Sequence, residues 1–200
     1  MPKALKAIAT TRFTTETYGE YNRFAIRGGR HWYGTPREIP KTVDLARGTL
    51  VLEMNNNTNK LEGAGLVVAN ESVPSRRLPI YADLNWCRYT YPREGWVSAT
   101  NLQEELGEEL WGDLQRYLFK GRGNQKRWTG ITGWGLKPWV CVNPECPHHE
   151  ACVDRGKRDR DLIARLLAIR DRLVRLMEEN RFRSAAELVS PTLTVEHYRH

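Results

Sequence analysis

Three cysteines and two histidines gather in one short stretch: Cys141, Cys146, His148, His149 and Cys152. Thiolate and imidazole are the ligands that borderline-soft cations take, and three thiolates with one imidazole make the donor set of a closed tetrahedral zinc site. Pro144 and Pro147 would tighten the turns between these ligands. The spacing, Cys-x4-Cys-x-His-His-x2-Cys, differs from that of a CCHC knuckle, so no knuckle function is transferred to it. One structural Zn2+ is expected, with His148 or His149 as the fourth ligand; the alternatives are reduced thiols without metal, and a disulfide or cluster. Four protein ligands would leave no position open for water, which argues against zinc catalysis.

A second run with chemical potential lies just upstream. From Gly121 to Pro138 the chain carries no acidic residue and is rich in glycine. Lys120, Arg122, Lys126 and Arg127 are candidates to neutralise phosphates, and Trp128 and Trp134 to stack on unpaired bases, at about 1–3 kcal/mol per base. The alternative is a solvated loop whose tryptophans turn inward as packing anchors. Trp32, Tyr33, Trp86, Tyr89, Tyr91 and Trp96 are further candidates for an aromatic base pocket, although aromatics at strand period are chiefly core. His31, His197 and His200 pair with no nucleophile, Cys87 has no adjacent base, and no Gly-Lys-Ser/Thr phosphate loop occurs. Enzymatic activity is not indicated.

The elements that must position these groups follow from periodicity. Leu50 to Met54, the polar turn Asn55 to Asn59, and Leu61 to Val68 read as a hairpin whose returning strand contains Gly63 and Gly65. Glycines there weaken a strand unless a neighbour approaches closely or a bulge bends the sheet. Leu78–Tyr81, Trp86–Tyr91 and Trp96–Val97 are further strand candidates. Leu102, Leu106, Leu110 and Leu114 then recur every fourth residue, predicting a helix over 101–119 with Asn101 and Glu104 as a capping box. A second helix is predicted from Asp159 to about Asn180, on the stripe Leu162, Leu166, Ile169, Leu173 and Leu176. So broad a stripe is normally buried against a domain, with a short coiled-coil dimer as the alternative.

Gly48-Thr49-Leu50-Val51-Leu52-Glu53-Met54, a polar turn, and Lys60-Leu61-Glu62-Gly63-Ala64-Gly65-Leu66 together resemble the central hairpin of the PUA-like superfamily of EVE, YTH and ASCH domains. Arg30-His31-Trp32-Tyr33-Gly34 resembles the aromatic opening of the EVE and YTH type. Glu53-Met54-Asn55-Asn56 with Thr58-Asn59-Lys60, followed by Leu118-Phe119-Lys120-Gly121, also resembles uncharacterised proteins of large double-stranded DNA viruses. The first resemblance implies a small curved barrel that binds RNA, or a modified base in an aromatic pocket, with Trp32, Tyr33, Asn55 and Asn59 as its candidate contacts.

The expected fold is therefore α+β. Residues 1–138 would form a PUA-like barrel domain with helix 101–119 and basic loop 120–138, and residues 139–200 a zinc-stapled helical extension. Lys plus Arg is 31 against 24 Asp plus Glu, a formal charge of +7, which favours a polyanionic partner. The longest apolar runs fall short of the roughly 20 residues that a bilayer helix needs, and the opening residues lack the apolar stretch of a secretory signal. An intracellular location in cytoplasm, nucleus or virion, without membrane contact, is expected. Two functions fit: binding of RNA or single-stranded DNA, and a structural or assembly role in a large DNA virus through protein contacts or a homodimer over 159–180.

Overall fold

A computed structural model describes residues 6–68, 78–120, 130–134, 137–143 and 145–189, with side chains described through Asn180. The first element among the described residues, β1 (Ile8–Phe13), turns directly into α1 (Thr15–Gly28). The Thr14 hydroxyl accepts from the Thr17 amide at 3.1 Å, while Thr17 Oγ1 accepts from the Thr14 amide at 2.8 Å. This reciprocal cap starts a helix that the threonine-rich sequence does not advertise. Gly29 ends it in the left-handed region, at φ 69°.

The predicted hairpin forms as β3 (Thr49–Asn55) and β4 (Lys60–Val67), with a register shift between Glu53 and Met54. β1 pairs parallel to β3, β6 (Gly95–Ser98) pairs antiparallel to β4, and the short β7 (Thr132–Gly133) covers the other edge of β1. The resulting sheet has the order β6-β4-β3-β1-β7. β2 (Trp32–Thr35) and β5 (Tyr89–Pro92) form a separate antiparallel ribbon. The expectation of a barrel is corrected here: the protein is α+β with an open mixed sheet, and no closed barrel forms among the described residues. The physical reason is that β2 lies over the face of the sheet, where the Tyr33 hydroxyl reaches Glu53 of β3, and so does not extend its edge.

Two further elements differ from expectation. Leu78–Tyr81 is not a strand, and Leu84–Cys87 forms a 3-10 turn capped by Asp83, which takes Trp86 out of the strand expected over 86–91. α2 (Ala99–Phe119) is capped by Ser98, whose hydroxyl accepts from Asn101, so that the cap lies one turn earlier than predicted. Its leucine stripe is buried as the spacing demands, across a break at Gly107, where φ is 76°.

The sheet is covered on both faces. Leu50, Leu52, Met54 and Leu66 pack against α2 and α3 (His149–Val189), which contributes Leu162, Leu166, Ile169, Leu173 and Met177. Val51, Val67 and Phe13 on the opposite face pack under Tyr21, Tyr33 and Tyr81. Burial of each such side chain contributes about 1.5–3 kcal/mol. The stripe of the terminal helix is thus occupied within the chain; Leu176, by contrast, is 47% exposed. No helix among the described residues is long and apolar enough to cross a membrane.

Candidate metal centre and candidate ligand cleft

The thiols of Cys141, Cys146 and Cys152 come together, with all three sulfur atoms within 4.8 Å of one another. A loop held by Asn143 brings them there: its carbonyl accepts from the Cys146 amide at 3.2 Å and its side chain from the Glu145 amide at 3.0 Å. The next amides bond back in turn, His149 to the Cys146 carbonyl and Cys152 to that of His148. Cys152 consequently lies in the first turn of α3, where the helix dipole favours a thiolate. The Cys141 thiol is held above its ordinary value, by desolvation first and then by the neighbouring cysteines. Three crowded thiols gain from a shared cation, which inverts that penalty, and tetrahedral zinc sets sulfurs roughly 3.8 Å apart on 2.3 Å bonds. The donor set therefore fits a metal ion. His148 and His149 are exposed and stand outside the group.

The segment is docked through Asp159, which is buried and accepts from the Tyr117 hydroxyl and, at 2.7 Å, from the Trp139 amide. Arg155 lies over both the Tyr117 and Trp139 rings. The cysteine loop and α3 are in this way joined through α2 to the main core.

On the other face of the sheet, β3 carries one carboxylate into an apolar strand. Glu53 is fully buried and accepts from Tyr21 Oη at 3.0 Å, Tyr33 Oη at 2.5 Å, Arg93 Nη1 at 3.2 Å and Trp96 Nε1 at 3.2 Å. Burial, followed by the Glu53 charge, raises the Tyr21 and Tyr33 hydroxyls far above their ordinary range, so both remain neutral donors. Burial opposes the Arg93 charge, but Glu53 and the two tyrosines outweigh it and the guanidinium is held above its usual value. The paired glycines now have a cause. A Cβ at Gly63 would meet Trp96 Nε1 at 2.6 Å, and one at Gly65 would strike the Tyr33 hydroxyl and meet Arg93 Cδ at 2.7 Å. The two glycines let side chains cross β4 to reach Glu53.

A cleft of about 180 Å3 opens where β1 ends and α1 begins. Its walls include Phe13, Asn56, Tyr81 and Trp86, with the β1–α1 junction from Thr11 to Thr17 and, across from it, Gly34 and Gly130. The parallel pair β1/β3 delivers Arg12 and Asn56 to the same end of the sheet, since the Asn56 amide bonds the Phe13 carbonyl at 2.8 Å. Ligands commonly sit outside the carboxyl ends of parallel strands, beside a helix N-terminus. Arg12 Nε and Asn56 Oδ1 are buried without a hydrogen-bond partner, and both atoms are closed off from the open space of the cleft. Burial lowers the Arg12 pKa from its ordinary value. An unmet buried polar group costs about 1–3 kcal/mol, more when charged.

The predicted contacts distribute unevenly. Arg122, Lys126, Arg127 and Trp128 lie outside the described residues. Lys120 is exposed at the end of α2. Trp134 is buried in the main core, and Tyr33 is fully buried against Glu53, so neither ring is open for stacking. Trp32 is partly buried beneath Arg30 and packs on the second core. Asn55 is buried and organises the hairpin turn, donating to Glu62 and accepting from the Asn57 amide. Asn59 takes the turn's left-handed position, φ 52°. Of the aromatics considered, Trp86 lines the cleft; Arg12, Phe13, Asn56 and Tyr81 were not legible, because no motif joins positions so distant in sequence.

Fold and sites together define an α+β protein with an open mixed sheet, a three-thiol candidate metal centre and a cleft at the end of its parallel strands. Comparison with family models, with curated proteins and with solved structures gave no match.

Proposed function

We propose that the protein binds single-stranded nucleic acid, RNA or DNA, by taking one base, modified or not, into the cleft beside Trp86. The observation that carries this reading is the aromatic lining of the cleft, Phe13, Tyr81 and Trp86, where β1 ends and α1 begins. Base edges present neighbouring acceptors and donors, and base faces stack on aromatic rings, which Phe13, Tyr81 and Trp86 supply. The volume suits one ring system. The charge of +7 and the acid-free run from Gly121 to Pro138, in which Gly130 borders the cleft, favour a polyanion. The PUA-like resemblance of the hairpin points the same way.

Cys141, Cys146 and Cys152 would hold a structural zinc ion, with His148 or His149 as the fourth ligand after a local shift. Bound zinc would fix the 141–152 loop on α3; it takes no part in base recognition. Assembly through the terminal helix has less support, because the apolar stripe of that helix is spent in the core.

Fluorescence anisotropy with labelled single-stranded oligonucleotides of mixed sequence tests the proposal. Trp86→Ala removes a stacking ring worth about 1–3 kcal/mol, hence roughly 5- to 150-fold in Kd. Unchanged affinity in Trp86→Ala, or wild-type protein that binds no oligonucleotide, overturns it.

A further inference from the structure

We infer that the groove next to the cleft carries the phosphodiester backbone of the strand whose base the cleft holds; this rests on the reading above. The groove, about 400 Å3 and open to solvent, runs between α1 and the segment 79–84. On the helix side it is lined by Glu20, Arg23, Phe24 and Arg27, which recur at the i, i+3, i+4 and i+7 positions of a single helix face. Arg23 and Arg27 are exposed, and among the described residues neither lies within ion-pair distance of a carboxylate. The carboxylate that the groove does contain is engaged: Glu20 Oε1 accepts from the Ala82 amide at 3.3 Å and ties the 79–84 segment to α1.

Continuity with the cleft supplies the direction. Tyr81 lines both spaces, so a strand leaving the cleft over that ring meets the two guanidinium groups next. Side chains four apart on a helix stand about 6 Å apart at Cβ, a match for successive phosphates along a single strand. Leu84, 62% exposed on the opposite wall, offers apolar contact to a sugar. Nothing in the 120–138 run is needed for this path, which makes it a second phosphate-binding surface distinct from the basic loop.

The test compares wild type, Trp86→Ala and the double variant Arg23→Gln/Arg27→Gln on single-stranded oligonucleotides of one, three and eight residues at several salt concentrations. Melting temperatures should stay close for the double variant, because both arginines are exposed. The expected result is that it binds the mononucleotide as wild type does, gains less with length, and shows a log–log salt slope shallower by about 1.4, two phosphates at roughly 0.7 each. Trp86→Ala should weaken binding at every length. Wild-type length dependence and slope in the double variant, alongside a Trp86→Ala defect, overturn the groove while leaving the cleft standing. An equal loss at all lengths in the double variant also overturns it. Wild type that binds no oligonucleotide at any length removes both proposals together.

Discussion

Gly65→Ala tests the buried carboxylate hub more sharply than any change to Glu53 itself, because it leaves every polar group in place. The new methyl would strike the Tyr33 hydroxyl and lie 2.7 Å from Arg93 Cδ. Neither neighbour has room to yield. Tyr33 is fully buried with its hydroxyl 2.5 Å from Glu53, and the β4 backbone is held on both sides by Val51 and Trp96. Over-packing costs about 1–3 kcal/mol, and displacing a hydrogen bond to a charged group costs about 1.5–3 kcal/mol more. The sum, about 2.5–6 kcal/mol, is a large share of the roughly 5–15 kcal/mol by which domains are stable. Gly63→Ala should also destabilise, because its methyl would meet the Val97 carbonyl oxygen at 2.7 Å as well as Trp96 Nε1 at 2.6 Å, and an outward swing of Trp96 would break its bond to Glu53. Gly112→Ala is the control: nothing lies within 4 Å of its Cβ position, and alanine in a helix should stabilise by about 0.5–1 kcal/mol. Urea denaturation followed by circular dichroism reads all three. A loss below about 1 kcal/mol for Gly65→Ala would refute the crossing of β4 described above.

Two further outcomes follow from the same structure. Protein purified without chelator should carry near one equivalent of zinc by atomic absorption, and Cys146→Ser should lose it and melt earlier; free titration of all three thiols with negligible metal would remove the site. His31, whose pKa burial and then Arg93 push down to about 4, should stay neutral through mildly acid conditions. The unfolded chain takes up that proton first, so the contribution of this group to stability is complete above about pH 6.5 and is lost as pH falls towards 4. A His31 ring titrating by NMR near its ordinary value would contradict the half-buried placement beside Tyr21 and Arg93.

The hairpin over 50–68 and the leucine stripe of α2 were legible because period and turn chemistry are local signals. The cysteine trio was legible for the same reason, as close spacing forces proximity. α1 was not, because its start is threonine-rich and its buried face, Tyr21 and Ala25, is too narrow to set a helical period. The role of Glu53 and the meaning of Gly63 and Gly65 depend on Tyr21, Tyr33, Arg93 and Trp96, which tertiary packing alone gathers. Trp32, to which the aromatic motif draws attention, does not line the cleft, for a similar reason. Strand period cannot tell which aromatics the ribbon folds inward, and the 3-10 turn that sends Trp86 to the cleft has no strong sequence signal.

The most direct measurement of the central claim is the NMR signal of the Trp86 indole N–H during titration with a single-stranded oligonucleotide. Trp86 lines the cleft together with Phe13 and Tyr81. A base stacked on the ring should move that resonance upfield, together with shifts at Phe13 and Tyr81. Saturating oligonucleotide that leaves the Trp86, Phe13 and Tyr81 signals in place while shifting residues elsewhere would contradict base recognition by the cleft.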